Sequence, residues 1–275
     1  MKNSVLLAAI LFTLDQNHPL ADWGRVALAF CTFCALASAI YLVNDVCDME
    51  ADRKHPEKRR RPIAAGEVSV RAAIILAIGL AGLGLGLAAA LGKDFAFVAL
   101  VYLGLTVAYS FKLKHLVLVD VMALSACYVL RAAAGAAAIS VAISPWLLVC
   151  TTLGALLVGL AKRRNELVLL TDAAGHRRIL EEYSLPLLDQ LIGIVTGTTL
   201  MAYMLYTFFS PTGKERPMMM LTIPYVVYGL FRFLYLMHRR GKGGNPALEL
   251  VEDTPLLLCG VLWGLTCIAV MLTGR

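Results

Sequence analysis

Residues 44–66 read NDVCDMEADRKHPEKRRRPIAAG and separate two long apolar stretches of the chain. Four acidic residues fall within the first nine positions, and six lysines and arginines follow them. If the preceding apolar helix continues through this stretch, Asp45, Asp48 and Asp52 share one helical face at i, i+3 and i+7, with Asn44 beside them. Carboxylates this close repel one another. The pattern therefore favours a bound hard cation such as Mg2+, with phosphate groups held by the basic residues nearby.

A second interpretation of residues 44–66 needs no ligand. Basic loops are common beside membrane spans because they set the orientation of the protein, and this stretch would then only fix topology. The two interpretations differ in what the acids do, since a topology signal does not require three carboxylates on one face.

The composition identifies the class of protein. Hydrophobic residues make up 59% of the 275 residues and charged residues only 16%. Runs near the ~20 apolar residues that cross a bilayer recur along the chain. The sequence thus predicts an all-α polytopic membrane protein with one domain over residues 1–275. Nine spans are predicted, at residues 4–14, 23–43, 72–91, 95–111, 116–139, 144–161, 187–209, 218–237 and 256–272.

The distribution of basic residues predicts the orientation of these spans. With nine spans, most of the 25 lysines and arginines lie on the same membrane face as residues 44–66. Loops rich in lysine and arginine stay in the cytosol. The acidic stretch and the amino terminus are therefore expected on the cytosolic side.

The third predicted span contains Gly82 and Gly86 in a small-xxx-small pattern. This spacing is typical of helices that pack closely in lipid. It does not indicate a dinucleotide site, because no strand precedes the glycines.

Other candidate binding residues lie in cytosolic loops, at the cytosolic ends of spans or, for Arg131, deeper within a span. They are Lys58, Arg59, Tyr109, Lys112, Arg131, Lys162, Arg163, Arg164, Glu166 and Tyr183. Arg131 lies within a span, where an arginine is unfavourable unless it faces a polar cavity or a partner, so it is either a functional residue or a structural clamp.

One acidic cluster surrounded by many cations suits phosphorylated substrates and argues against a cation transporter. No nucleic-acid partner is expected.

The stretch Asn44-Asp45-x-x-Asp48-x-x-x-Asp52, followed by Arg61-Pro62-Ile63-Ala64-Ala65-Gly66, resembles the first aspartate-rich motif of the UbiA superfamily of intramembrane prenyltransferases. The resemblance covers nearly the whole chain and implies a nine-helix bundle with a cytosolic active site. It also implies a bacterial inner-membrane location.

Typical aromatic prenyltransferases of this superfamily carry a second aspartate-rich motif, of the DxxxD type, after the sixth span. This chain differs from them in that second motif region. Residues 171–189 read TDAAGHRRILEEYSLPLLD and lack the usual DxxxD-type pair. Instead Lys162-Arg163-Arg164-Asn165-Glu166-Leu167 precedes them. Together with residues 130–135 (LRAAAG) and the 243–253 tail, this resembles the decaprenyl-phosphate phosphoribosyltransferase branch of the superfamily.

That resemblance implies a set of roles. Asp45, Asp48 and Asp52 would bind Mg2+ on the diphosphate of 5-phosphoribosyl diphosphate, with Asp45, Asp48, Lys162 and Arg163 as catalytic residues. Substrate-binding roles fall to Asn44, Lys58, Arg59, Tyr109, Lys112, Arg131, Arg164, Glu166 and Tyr183. The acceptor would be a polyprenyl phosphate in the bilayer, and a homo-oligomer remains open.

Two alternatives stay open from the sequence. A UbiA-type prenyltransferase would move an isoprenyl group to an aromatic acceptor with the same first motif, although one diphosphate does not need so many cations. An anion or phospholipid transporter would use the cations without breaking a bond.

Overall fold

The computed structural model describes residues 2–11, 13, 18–54, 58–170, 182–239 and 252–273. Every regular element within these residues is helical. The long helices are α1 (Leu20–Cys47), α2 (Val70–Leu91), α3 (Lys93–Phe111), α4 (Val119–Ala138), α5 (Pro145–Leu170), α6 (Leu185–Phe209), α7 (Ile223–Arg239) and α8 (Thr254–Thr273). All eight are long and apolar enough to cross a membrane, α7 together with the turns of Pro217–Thr222 before it. The prediction of an all-α multi-pass membrane protein is confirmed.

The first predicted span, residues 4–14, is shorter than expected. A 3-10 helix at Lys2–Leu7 leads into one α-helical turn at Ala8–Leu11, and neither is long enough to span a bilayer. This N-terminal segment packs against α4 and α1 instead. The predicted count of nine spans is therefore approximate: the described residues contain eight spanning helices and one short packed segment.

The chain divides into two compact units. Unit 1 comprises Met1–Thr13 and Asn17–Ile143, and unit 2 comprises Leu14–Gln16 and Ser144–Arg275. Unit 1 therefore contains the N-terminal segment and α1 to α4, and unit 2 contains α5 to α8. The single domain expected from the sequence stays a prediction.

Local sequence signals fix several helix ends. At the start of α2, Ser69 Oγ accepts a hydrogen bond from the backbone N–H of Ala72 at 3.2 Å, which satisfies one of the free donors of the first turn. The helix stops at Gly92, whose φ of +128° is accessible mainly to glycine. Ser184 caps α6 in the same way, with Pro186 in its first turn.

The core of unit 1 is built around aromatic side chains from α1 and α3. The ring of Phe33 lies 5.9 Å from that of Phe95 and 4.9 Å from that of Tyr102, and all three residues are buried. At one end of this core, Arg25 donates to the carbonyl oxygens of Ala138 (2.6 Å) and Leu91 (2.8 Å), the last residues of α4 and α2. A cation there satisfies free carbonyls and complements the negative ends of both helix dipoles.

The sequence predicted that Gly82 and Gly86 of the third span form a close helix–helix contact, and this choice of residues is wrong. A Cβ atom at Gly82 or Gly86 would meet nothing within 4 Å, whereas one at Gly84 would lie 2.6 Å from a side-chain carbon of Leu36 in α1. Helices α1 and α2 do pack closely, but Gly84 forms the contact. The spacing indicated a close helix pair and could not show which side of α2 faces α1.

Candidate active site

The acidic stretch keeps the helical register predicted for it. Helix α1 ends at Cys47, Asp48 follows with φ −92° and ψ 1°, and a further short helix covers Met49–Lys54. The backbone N–H of Asp48 donates to Asn44 O, and that of Asp52 donates to Asp48 O, both at 2.8 Å. Because these i to i+4 bonds continue through the break, the helical periodicity used to place the three aspartates on one face is retained.

Two cations engage these aspartates. Arg61 Nη1 donates to Asp45 Oδ1 and to Asp52 Oδ2, both at 2.8 Å. Lys114 Nζ donates to Asp48 Oδ1 at 2.9 Å. Asp52 is buried, with 4% of its surface exposed. The carboxylates of Asp45 and Asp52 therefore face each other across one shared nitrogen.

The donor set at this position fits Mg2+, although it is not arranged as a preformed metal site. Within the described part of the chain, no three acidic, histidine or cysteine side chains converge closely enough to hold a metal ion. Carboxylate oxygens are nevertheless the hard ligands that Mg2+ prefers, and it commonly takes only one or two of them alongside substrate phosphates. The shared guanidinium nitrogen shows that Asp45 and Asp52 accept a common cation. The assignment of Asp45, Asp48 and Asp52 to a metal stays a prediction.

A cavity in unit 1 lies between faces of three helices. It contains about 520 Å³ of empty space, part of it open to the surroundings. The lining residues are Ala37, Ile40, Tyr41 and Asn44 from α1, Tyr102, Thr106 and Tyr109 from α3, and Leu124, Cys127, Tyr128 and Arg131 from α4. The predicted residues Asn44, Tyr109 and Arg131 thus line one cavity.

Arg131 is buried in the wall of this cavity, with 4% of its surface exposed. Its Nε donates to Asn3 Oδ1 at 2.9 Å, its Nη1 to Cys127 O at 3.0 Å and its Nη2 to Tyr102 Oη at 2.8 Å. The guanidinium also lies 4.8 Å from the ring centre of Tyr102 and 5.4 Å from that of Tyr128. Within the described residues these partners are all neutral, so the charge is stabilised by hydrogen bonds and aromatic faces.

The other predicted residues of unit 1 are nearer the surface. Lys58 is half-buried in the turn Lys58–Arg60, whereas Arg59 and Lys112 are exposed. In the described structure, neither Arg59 nor Lys112 pairs with the three aspartates. Their assignment to substrate phosphates stays a prediction.

The predicted cations of unit 2 lie at the end of α5. Arg163 is buried, with 2% exposed, and its Nη1 donates to Glu166 Oε2. Arg164 Nε donates to Asp189 Oδ1 on α6. Lys162 is exposed, and Tyr183 is buried. Most of the second motif region (171–181), and residues 243–251 of the tail, lie outside the described residues.

Several residues in these clusters were not predicted as site residues. Arg61 and Lys114 bind the acidic stretch, Asn3 and Tyr102 bind Arg131, and Asp189 binds Arg164. Tyr102 carried a signal, because it precedes Tyr109 by seven residues and so shares its helical face. The pairing of Asn3 with Arg131 spans 128 positions and left no local trace.

The sequence comparison decides the family. A profile of the UbiA prenyltransferase family matches residues 5–248. The chain belongs to the UbiA prenyltransferase family. It is therefore a multi-pass membrane transferase, as the first acidic motif implied.

Curated relatives resemble this UbiA-family chain over most of its length. A decaprenyl-phosphate phosphoribosyltransferase of Mycobacterium tuberculosis is 34% identical over 267 residues, which cover 96% of this chain and 88% of the relative. The enzyme of the same name from Corynebacterium glutamicum is 35% identical over 273 residues, covering 96% and 81%.

Solved structures of low sequence identity share the UbiA fold. A UbiA homologue from Archaeoglobus fulgidus, bound to DMAPP and Mg2+, aligns with a TM-score of 0.73 at 18% identity, covering 99% of this chain and 96% of that one. The same homologue bound to GPP and Mg2+ gives a TM-score of 0.75. These matches confirm the all-α UbiA architecture.

Proposed function

We propose that this UbiA-family protein transfers 5-phosphoribose from 5-phosphoribosyl diphosphate to a polyprenyl phosphate and releases diphosphate, with Mg2+ as its cofactor. The observation that carries the proposal is the pairing of three aspartates with Arg61 and Lys114, in a unit whose cavity is lined by a buried arginine. The choice of acceptor is supported by the curated relatives, whose names specify decaprenyl phosphate.

The acidic cluster suits the departure of a diphosphate. Asp45, Asp48 and Asp52 would hold Mg2+, which when bound neutralises negative charge on a leaving diphosphate. Arg61 and Lys114 place positive charge beside these carboxylates. As the bond between C1 of the ribose and the diphosphate oxygen breaks, that charge stabilises the developing anion.

The acceptor needs no general base. A polyprenyl phosphate is already an anion, so one of its oxygens attacks C1 directly while the diphosphate leaves from the opposite side, and inversion at C1 follows. Phosphate or ribose contacts are proposed for Asn44, Lys58, Arg59, Tyr109, Lys112, Lys162, Arg163, Arg164, Glu166 and Tyr183.

We place this reaction at the cytosolic face of a bacterial inner membrane. The concentration of basic residues on the face of residues 44–66 supports that orientation. A soluble phosphorylated donor would reach the site from the cytosol, and the acceptor's polyprenyl chain would extend into the bilayer.

The decisive experiment is a transfer assay on the purified full chain in nanodiscs. Radiolabelled 5-phosphoribosyl diphosphate, a polyprenyl phosphate and Mg2+ should yield a labelled lipid that partitions into organic solvent, and EDTA should abolish it. Consumption of a prenyl diphosphate with an aromatic acceptor, and no labelled lipid, would favour the prenyltransferase alternative. Exchange of intact labelled substrate across proteoliposomes would favour the transporter.

Asp45→Asn should lower the transfer rate by about 10²-fold or more, because it removes a charged ligand of the proposed cation. The matched control is Asp94→Asn, which changes an exposed aspartate in the first turn of α3. Turnover of Asp45→Asn at the wild-type rate would contradict the metal assignment.

A further inference from the structure

Arg131 retains hydrogen-bonding capacity that the described protein does not use. A guanidinium has five N–H groups, and the three bonds of Arg131 take one each from Nε, Nη1 and Nη2. One N–H therefore remains on each terminal nitrogen. Two donors on one guanidinium can bind two oxygens of a phosphate group.

The charge of Arg131 points to the same ligand class. No acidic side chain in the described part of the chain forms an ion pair with Arg131, and only 4% of the residue's surface is exposed. A buried cation without an anionic partner is unfavourable, and the cavity that it lines offers space for one. A phosphate monoester, with two negative charges, would supply that partner.

Asn3 holds this guanidinium from outside the helices that form the cavity. Its Oδ1 accepts from Arg131 Nε, and its Nδ2 donates to Cys34 Sγ at 3.2 Å. Since Arg131 can only donate, the amide oxygen must face it. The N–H of Nε is thereby occupied, and one N–H on each terminal nitrogen is left for a ligand.

The N-terminal segment is anchored closely enough to keep Asn3 in place. Leu6 is fully buried. A Cβ atom on Gly135 would lie only 2.1 Å from the carbonyl oxygen of Leu6, which is too close for two such atoms. Gly135 is thus the residue of α4 that allows the segment to approach, four positions after Arg131.

We propose that Arg131 binds a substrate phosphate monoester through Nη1 and Nη2, and that Asn3 is the positioning residue that orients it. The inference rests on the proposed function, which supplies two such groups: the 5-phosphate of the sugar donor and the phosphate of the lipid acceptor. The shared chemistry is a dianionic phosphate with a single ester bond.

Two substitutions of Asn3 separate positioning from simple support of the fold. Asn3→Asp keeps an acceptor for Arg131 Nε but adds a negative charge that competes with the phosphate. Asn3→Ala removes the acceptor without adding charge. If Asn3 positions Arg131 for a phosphate, Asn3→Asp should keep the wild-type melting temperature yet bind the phosphate more weakly than Asn3→Ala does. A residue that only supports the fold would lose phosphate binding in Asn3→Ala only together with a lower melting temperature.

The test measures affinity rather than turnover, by calorimetry on the full chain in nanodiscs. The probes are ribose 5-phosphate and farnesyl phosphate, each titrated into wild type, Asn3→Asp, Asn3→Ala and Arg131→Lys. We expect Arg131→Lys and Asn3→Asp to weaken the binding of one probe about tenfold or more. Lysine lacks the planar fork of donors, and aspartate at position 3 neutralises part of the positive charge of Arg131. Leu11→Ala, an exposed position of the same segment, is the control.

The two probes distinguish the sources of the phosphate. Loss of ribose 5-phosphate binding alone assigns Arg131 to the sugar, and loss of farnesyl phosphate binding alone assigns it to the lipid. Unchanged affinity for both, or an equal loss of both with a lower melting temperature, would overturn the inference. If the wild type fails in the transfer assay but these probe differences appear, the proposed function is wrong and the phosphate site stands.

Discussion

Arg61 is the residue whose position most changes the interpretation of the acidic stretch. It contacts Asp45 and Asp52 through one nitrogen, so a divalent ion and Arg61 compete for the same carboxylate oxygens. Arg61→Gln should therefore raise the affinity for Mn2+ in the absence of substrate about fivefold, since the ion pairs of a partly exposed arginine contribute about 1 kcal/mol. Electron paramagnetic resonance of free Mn2+ measures this directly.

The matched control for Arg61 is its neighbour. Arg60→Gln removes the same charge from an exposed side chain in the turn Lys58–Arg60. Equal Mn2+ affinities in the two variants would show that only the overall charge matters and that the pairing with Asp45 and Asp52 does not. The same Arg61→Gln protein should bind inorganic diphosphate more weakly, because it has lost a cation beside the leaving group.

At the scale of elements, the contact between the N-terminal segment and α4 depends on Gly135. Gly135→Ala would place a Cβ atom 2.1 Å from Leu6 O, a backbone atom that cannot rotate away. The segment must shift, which we expect to cost about 1–3 kcal/mol and to lower the melting temperature in detergent. Gly82→Ala, which meets nothing within 4 Å, should keep or slightly raise it because alanine favours helix. A melting temperature for Gly135→Ala as high as that of Gly82→Ala would contradict the tight contact.

At the scale of the whole molecule, orientation in the membrane can be read from cysteine labelling. Cys47 is exposed at the end of α1, within the acidic stretch. A membrane-impermeant maleimide should label it in inverted vesicles and not in intact spheroplasts. Lys93→Cys in a Cys47→Ser background should show the opposite pattern, since Lys93 begins α3 on the other predicted face. Labelling of Cys47 in intact spheroplasts would reverse the proposed topology.

Features set by neighbouring residues were predictable from the sequence alone. Hydropathy located the spanning helices because a bilayer imposes a length on each apolar run. Helical spacing placed Asp45, Asp48 and Asp52 together because the backbone hydrogen bonds continue from α1 through Asp48. The same local patterns carried the resemblance to the UbiA superfamily.

Only the tertiary structure decided which side chains meet across helices. Of the basic residues after Asp52, the sequence analysis named Lys58 and Arg59 as candidates, yet Arg61 reaches the aspartates and Arg59 does not. Gly84, and not Gly82 or Gly86, forms the close contact with α1. Spacing along a helix fixes which residues share a face, but the rotation of that helix against its neighbours depends on packing of the whole core. For that reason the pairing of Asn3 with Arg131 is a property of the fold rather than of any segment.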